Sequence, residues 1–249
     1  MKIMTLNCQH AYHKDALVGF LSKKIESNEY DALLLQELPE EILSLIDPHN
    51  SYSCIYNKDI HVKESRVAIL LKNVYTLHEE EYSLFEKEIN NEKEYFYELI
   101  SLVVENKKGH MYILSSLHMP AYLHLIRRIK YLKKTIKRIK MLQKKYSPKV
   151  PFVIGGDWNS IFPYEHYILQ FFVDPRFQFL FPKEYTYHTR KLEPGLFMGN
   201  FFKSIASFIS MDYVLDFFLI NYPVKGVVET QESDISDHNP VTLTIEETN

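Results

Sequence analysis

Short apolar runs recur along the whole chain, and several of them stop abruptly on a polar side chain. Lys2 to Asn7 ends on Asn7, Ala32 to Leu35 runs into Gln36-Glu37, and Met111 to Leu117 into His118. Phe152 to Ile154 passes through Gly155-Gly156 to Asp157-Trp158-Asn159, and a turn reading Ser236-Asp237-His238-Asn239-Pro240 precedes the run Val241 to Ile245. Runs of this length, bounded by turn residues, predict buried strands. Val67 to Leu71, Phe96 to Val104 and Tyr213 to Leu219 read the same way. Helical spacing is carried by Leu17, Phe20, Leu21 and Ile25, by Glu40 to Ile46, and by Leu125, Ile129, Leu132, Ile136, Ile139 and Leu142. Many strands with few helices, some strands joined directly and others through helices, predict an α/β sandwich with mixed sheets.

Nothing in the chain marks a boundary. With 249 residues, 46% of them hydrophobic, only 7 Gly, and no Ser/Gly-rich linker or internal repeat, residues 1–249 are expected to form a single domain. Cys8 and Cys54 cannot build a disulfide framework. No charged leader precedes a long apolar stretch, so a cytoplasmic, soluble chain is expected, a trimmed secreted form reading the same. The net charge of −3 conceals an asymmetry: Tyr122 to Tyr146 holds ten Lys/Arg and no acid, which leaves −13 on the remainder. That stretch is the strongest positive surface offered to a polyanion or an anionic membrane, though its plainer reading is an outer helix with a solvated lysine face.

The polar run ends are where chemistry can be mounted, because the backbone there is held while side chains face a cleft. Singly, each has an ordinary explanation. Asn7 can close a strand, Glu37 can cap the helix after Pro39, and His118 can be a satisfied loop histidine. Asp212, set in Met211-Asp212-Tyr213-Val214-Leu215, is costly to bury without a partner, and His238 is the partner expected for it. Glu98, on the run before that of His118, could orient that imidazole or be a plain exposed strand residue.

Taken in order, Thr5-Leu6-Asn7, Leu35-Gln36-Glu37, Leu117-His118, Gly156-Asp157-Trp158-Asn159, Met211-Asp212-Tyr213 and Ser236-Asp237-His238 resemble the motifs of the endonuclease/exonuclease/phosphatase superfamily, which includes deoxyribonucleases and neutral sphingomyelinases. The resemblance spans essentially the whole chain. It implies a four-layer sandwich, two mixed sheets face to face with helices outside and the active site at one end of the sheets. It further implies Mg²⁺, or Mn²⁺, held by Glu37 with Asn7 and Asp237, which suits the oxygen ligands such ions take. Asp157 would orient or deprotonate the attacking water, Asn159 would donate to a phosphoryl oxygen, and His238 would be held by Asp212 beside the phosphate. His118 would stabilise developing charge or protonate the leaving oxygen. Asp157 and His238 are both expected to be essential, and the choice of base between them stays open.

His118, where apurinic-site endonucleases usually carry Tyr, and Gln9, where they carry an acid, set this chain apart from abasic-site repair. The resemblance then implies a phosphodiesterase, with a nuclease acting on DNA or RNA, endo- or exonuclease, as the leading expectation. A lipid phosphodiesterase or a phosphatase of soluble esters is the alternative, and a non-catalytic binding member is disfavoured by the intact carboxylates. Nucleic acid is thus the expected partner, with membrane lipid second and no protein partner implied. The basic stretch suits a nucleic acid backbone. The aromatic stretch from Gly195 through Phe197, Phe201 and Phe202 to Phe208 would suit lipid or stacked bases if exposed, and core if buried.

Overall fold

The run Leu33-Leu34-Leu35 is apolar on consecutive positions because both faces of its strand are covered. Leu34 packs between two sheets, while Leu33 and Leu35 pack outward under helices. The computed structural model describes residues 1–9, 13–46, 51–57, 66–89, 92–119, 125–160, 165–184, 186–188, 212–221 and 225–246. The aromatic stretch between Gly195 and Phe208 lies outside them.

The first sheet is built from β1 (Lys2–Asn7), β2 (Ala32–Leu38), β3 (Tyr52–Tyr56), β4 (Arg66–Lys72), β13 (Lys225–Thr230) and β14 (Val241–Glu246). Its order is β13-β14-β1-β2-β4-β3. The second contains β5 (Thr76–Ile89), β6 (Glu92–Glu105), β7 (Met111–His118), β8 (Phe152–Asp157), β9 (Phe177–Leu180) and β12 (Asp216–Asn221), in the order β5-β6-β7-β8-β12-β9. A two-stranded pair, β10 (Tyr187–His188) with β11 (Asp212–Tyr213), lies apart from both. The helices are α1 (Lys14–Ser27), α2 (Glu40–Ile46), α3 (Leu125–Tyr146) and α4 (Glu165–Phe171).

Three apolar layers hold these together. Ile3, Ile69, Leu102, Leu114, Val153, Phe218 and Leu243 fill the space between the sheets. Leu6, Leu17, Leu21 and Ile42 pack α1 and α2 on the first sheet. Leu132, Ile139, Phe152 and Trp158 belong to the layer that seats α3 on the second. The expected four-layer α/β sandwich is therefore what forms, and its sheets are mixed. β1–β2 and β7–β8 are parallel, and every other ladder of the two sheets is antiparallel.

The two parallel pairs position the polar run ends. A parallel pair needs a crossover, supplied by α1 and α3, and each crossover returns the chain so that neighbouring strands finish together. Asn7 lies opposite Gln36, and His118 opposite Asp157. One expectation is corrected here. The run Tyr213 to Leu219 is not a single strand: it breaks after Tyr213 and resumes at Asp216, which opens β12 directly opposite Asp157.

Candidate active site

Six strand ends converge at one end of the sandwich. The first sheet delivers Asn7 from β1, Glu37 from β2, and Asp237 with His238 from the turn before β14; the second delivers His118, Asp157 and Asp216 from β7, β8 and β12. Gln36, wholly buried, ties the two halves: its Nε2 donates to Ser116 Oγ of β7 at 2.9 Å and to Leu34 O at 3.0 Å. Nothing but its place beside Glu37 marked it in the sequence.

Local backbone strain shapes the site at three positions. Gln9, Glu37 and Asn159 have φ of 47°, 52° and 49°, a left-handed conformation uncommon for residues with a Cβ. Glu37 occupies a bulge where the β2–β4 register shifts between Leu35 and Leu38, and so leaves the alternation of its strand. Trp158, fully buried, locks the next loop. Its indole Nε1 donates to Phe217 O at 3.0 Å, and its ring stacks on Phe217 at 5.2 Å.

Asp157 is the hub. Its Oδ2 accepts from Asn7 Nδ2 at 2.9 Å and Asn159 Nδ2 at 2.8 Å, and its Oδ1 accepts the Asn159 backbone N–H at 2.7 Å. Asn7 Nδ2 also donates to Glu37 Oε1 at 3.2 Å, and His118 Nε2 lies 3.2 Å from the same oxygen and 3.8 Å from Asp157. The second Asn159 Nδ2 hydrogen goes to Met119 O at 2.7 Å. Both Nδ2 hydrogens thus have partners within the protein, and through one of them Asn159 positions Asp157.

His238 is held by Asp216, where Asp212 is the partner expected from the sequence. Its Nδ1 lies 2.7 Å from Asp216 Oδ2. Asp212 starts the separate β10–β11 pair, four residues earlier. Asp216 sits between Leu215 and Phe217 and is fully buried, so the argument applied to Asp212 fits it better. Thr186 braces this pair. Its Oγ1 accepts the Leu215 and Asp216 N–H groups at 2.8 and 3.0 Å, and its carbonyl accepts from Asn239 N at 2.6 Å. Asp237 lies beside His238, Oδ1 to Nε2 3.9 Å, with its own N–H donated to Gln9 Oε1. Glu98 faces His118 across the β6–β7 ladder, but its carboxylate accepts the Val67 N–H at 2.8 Å.

Burial and crowding set the charges. Burial alone would lower the His118 pKa, but hydrogen bonding and charge from Glu37, reinforced by Asp157, lift it to about 9. His238 is likewise held well above its ordinary value, its burial outweighed by Asp216, Asp237 and Asp157. Burial pushes Asp157 up to about 6 against the pull of His238, and raises Asp237 as well.

The donor set fits a divalent cation. Ligand atoms of Glu37, His118 and Asp157 all lie within 4.8 Å of one another, as do those of Asp157, Asp216 and His238. Asp216 Oδ1 is buried without a hydrogen-bond partner among the described residues. Carboxylates packed this closely repel, and a cation among them removes that repulsion while taking the hard oxygen ligands it prefers.

No protein-family model and no curated protein matches the sequence. Solved structures do share the fold. TDP2 from D. rerio, complexed with a single-strand DNA product, has a TM-score of 0.75 at 15% identity, with 99% of each chain covered. An endonuclease/exonuclease/phosphatase from Bacteroides vulgatus gives 0.73 at 15% identity, with 98% of each covered. A mannosyl-6-phosphatase from Bacteroides thetaiotaomicron gives 0.69 at 13%, covering 99% of this chain and 100% of that one. These likenesses show a shared fold, the four-layer sandwich that the motif order implied.

Proposed function

We propose that this chain is a divalent-metal-dependent phosphodiesterase that hydrolyses nucleic acid, with Mg²⁺ as the first choice of ion and Mn²⁺ the second. The observation that carries this reading is the convergence of Asn7, Glu37, His118, Asp157 and the Asp216–His238 pair on one point from both sheets. TDP2, which shares the fold, was captured with a single-strand DNA product.

Glu37 would hold the ion, with Asn7 and Asp237 completing its site and His118 beside them. When bound, it supplies a Lewis acid for the phosphate and an acidified water. The protein's own groups do the rest. Asp157, held by Asn7 and Asn159, orients the attacking water and accepts its proton, being ionised above about pH 6. His238, fixed through Nδ1 by Asp216 and kept cationic by the surrounding carboxylates, offers Nε2–H to a phosphoryl oxygen. As the bond from phosphorus to the leaving oxygen breaks, His118 stabilises or protonates that oxygen.

A second reading, hydrolysis of a phosphomonoester, is favoured by the mannosyl-6-phosphatase with the same fold. The test is turnover of single-stranded DNA and RNA, sphingomyelin vesicles and 4-nitrophenyl phosphate with Mg²⁺ or EDTA, alongside Asp157→Ala. Metal-dependent cleavage of nucleic acid, lost in the variant, is expected. Turnover of the monoester alone would move the assignment to a phosphatase, of sphingomyelin alone to a lipid phosphodiesterase, and no turnover would overturn it.

A further inference from the structure

The outward face of α3 is not a uniform lysine surface. Ile126, Lys130, Lys133, Lys137, Met141 and Lys144 follow one another at spacings of three and four residues, on the side opposite the buried Leu132, Ile136 and Ile139. Two of the six are large aliphatic side chains left in water: Ile126 is 80% exposed and Met141 62%. Beside them stand Phe171, the last residue of α4 and 88% exposed, and the following Phe172, whose ring lies under the Lys133 ammonium at 5.4 Å. The end of α4 that carries Phe171 is held in place. Leu169 and Val173 anchor α4 in the core, and the Gln170 side chain clamps β9, donating to Phe177 O and accepting from Phe179 N, both at 3.0 Å.

Lys130, Lys137 and Lys144 meet no acid among the described residues, whereas Arg138 and Lys145, toward β5, are spent on Glu81 and Glu79. At the far end Lys140, Lys144 and Arg176 line a recess, with Asp174 already shared by Lys140 and Arg176. Lysines interspersed with protruding Ile, Met and Phe match an anionic lipid surface, where ammonium groups meet the head groups and apolar side chains enter the acyl boundary. A phosphate backbone would use the lysines but gives Ile126 and Met141 nothing to contact. The charge of −13 on the remainder of the chain would in turn be repelled by the same surface, leaving the α3–α4 face as the side that docks.

We infer that the α3–α4 face is a docking surface for anionic membranes, independent of the phosphodiesterase reading. The test is flotation of the full chain with vesicles of phosphatidylcholine alone or mixed with phosphatidylserine. Binding only to the mixed vesicles, and weakening with salt, is expected. Lys130→Glu with Lys137→Glu, and separately Ile126→Ser with Phe171→Ser, should each reduce it about tenfold. These positions are exposed, so an unchanged thermal midpoint shows that folding is intact. Failure to float with either vesicle would overturn the proposal. So would a face whose lysines bind single-stranded DNA while Ile126 and Phe171 prove dispensable for binding either ligand, which would mark a nucleic acid surface.

Discussion

Asp216 spends one carboxylate oxygen on His238 and is fully buried, so replacing it leaves the imidazole unheld in a low-dielectric site. Asp216→Asn is expected to lower turnover roughly 10²–10⁴-fold with the fold intact, the usual weight of one positioned proton-transfer group. If Asp212→Asn, measured in parallel, gave the larger loss, the pairing would be wrong. Thr186→Val should weaken turnover as well, with Thr186→Ser restoring it, because the hydroxyl accepts two N–H groups that fix the start of β12. The carboxylates were visible in the sequence as acids within apolar runs. The choice between two acids four residues apart was not, because it turns on where β12 begins. Glu98 offers a test by pH. Burial raises it from 4.5 to about 7 against the Val67 hydrogen bond. The folded chain then keeps a proton that the unfolded chain gives up, and Glu98 makes stability fall as pH rises from about 4.5 to about 7. Glu98→Gln should flatten that slope in denaturant titrations at several pH values; an unchanged slope would place the group in water.

Strands differ in how plainly their sequences announce them, and position in the sheet explains why. Seven of the eight strands with neighbours on both sides in the two sheets, β1, β2, β4, β6, β7, β8 and β14, form close to where the sequence predicts them. The four that went unforeseen, β3, β5, β9 and β13, are the edges of the two sheets. β13 alternates exposed with partly covered residues, and β5 carries a charged run at Glu79-Glu80-Glu81. Edges tolerate and even favour such sequences, since charge there discourages further pairing. On α3 the apolar stripe seats against the core as expected, but Arg128, counted with the cationic face, is 2% exposed and donates to Trp158 O at 2.6 Å. Gly156 is the most demanding position of the element pairing. A Cβ there would lie 1.9 Å from Leu117 O, and backbone cannot yield as a side chain can. Gly156→Ala should part β8 from β7, cost about 3 kcal/mol or more in a denaturant titration, and separate Asp157 from His118. Wild-type activity in that variant would contradict the register.

The whole molecule carries a charge cluster that folding alone does not neutralise, so the ion should act on stability as well as on turnover. A ligand that binds only the folded chain stabilises it by about 2.7 kcal/mol at a hundred times its Kd. Mg²⁺ is therefore expected to raise the thermal midpoint, and Glu37→Gln to remove most of that rise; equal shifts in both proteins would place the ion elsewhere. Motif order made the four-layer plan readable from the chain. What it could not convey is the seam, where Gln36 of one sheet grips Ser116 of the other and each sheet holds only half of the candidate site. The proposed reaction would need both sheets. A slip of a single ångström between them would leave every strand, and hence the circular dichroism spectrum, unchanged while pulling Glu37 from His118. In rising denaturant such a molecule should fall silent before it comes apart, its turnover acting as a gauge of how tightly two otherwise intact walls are closed.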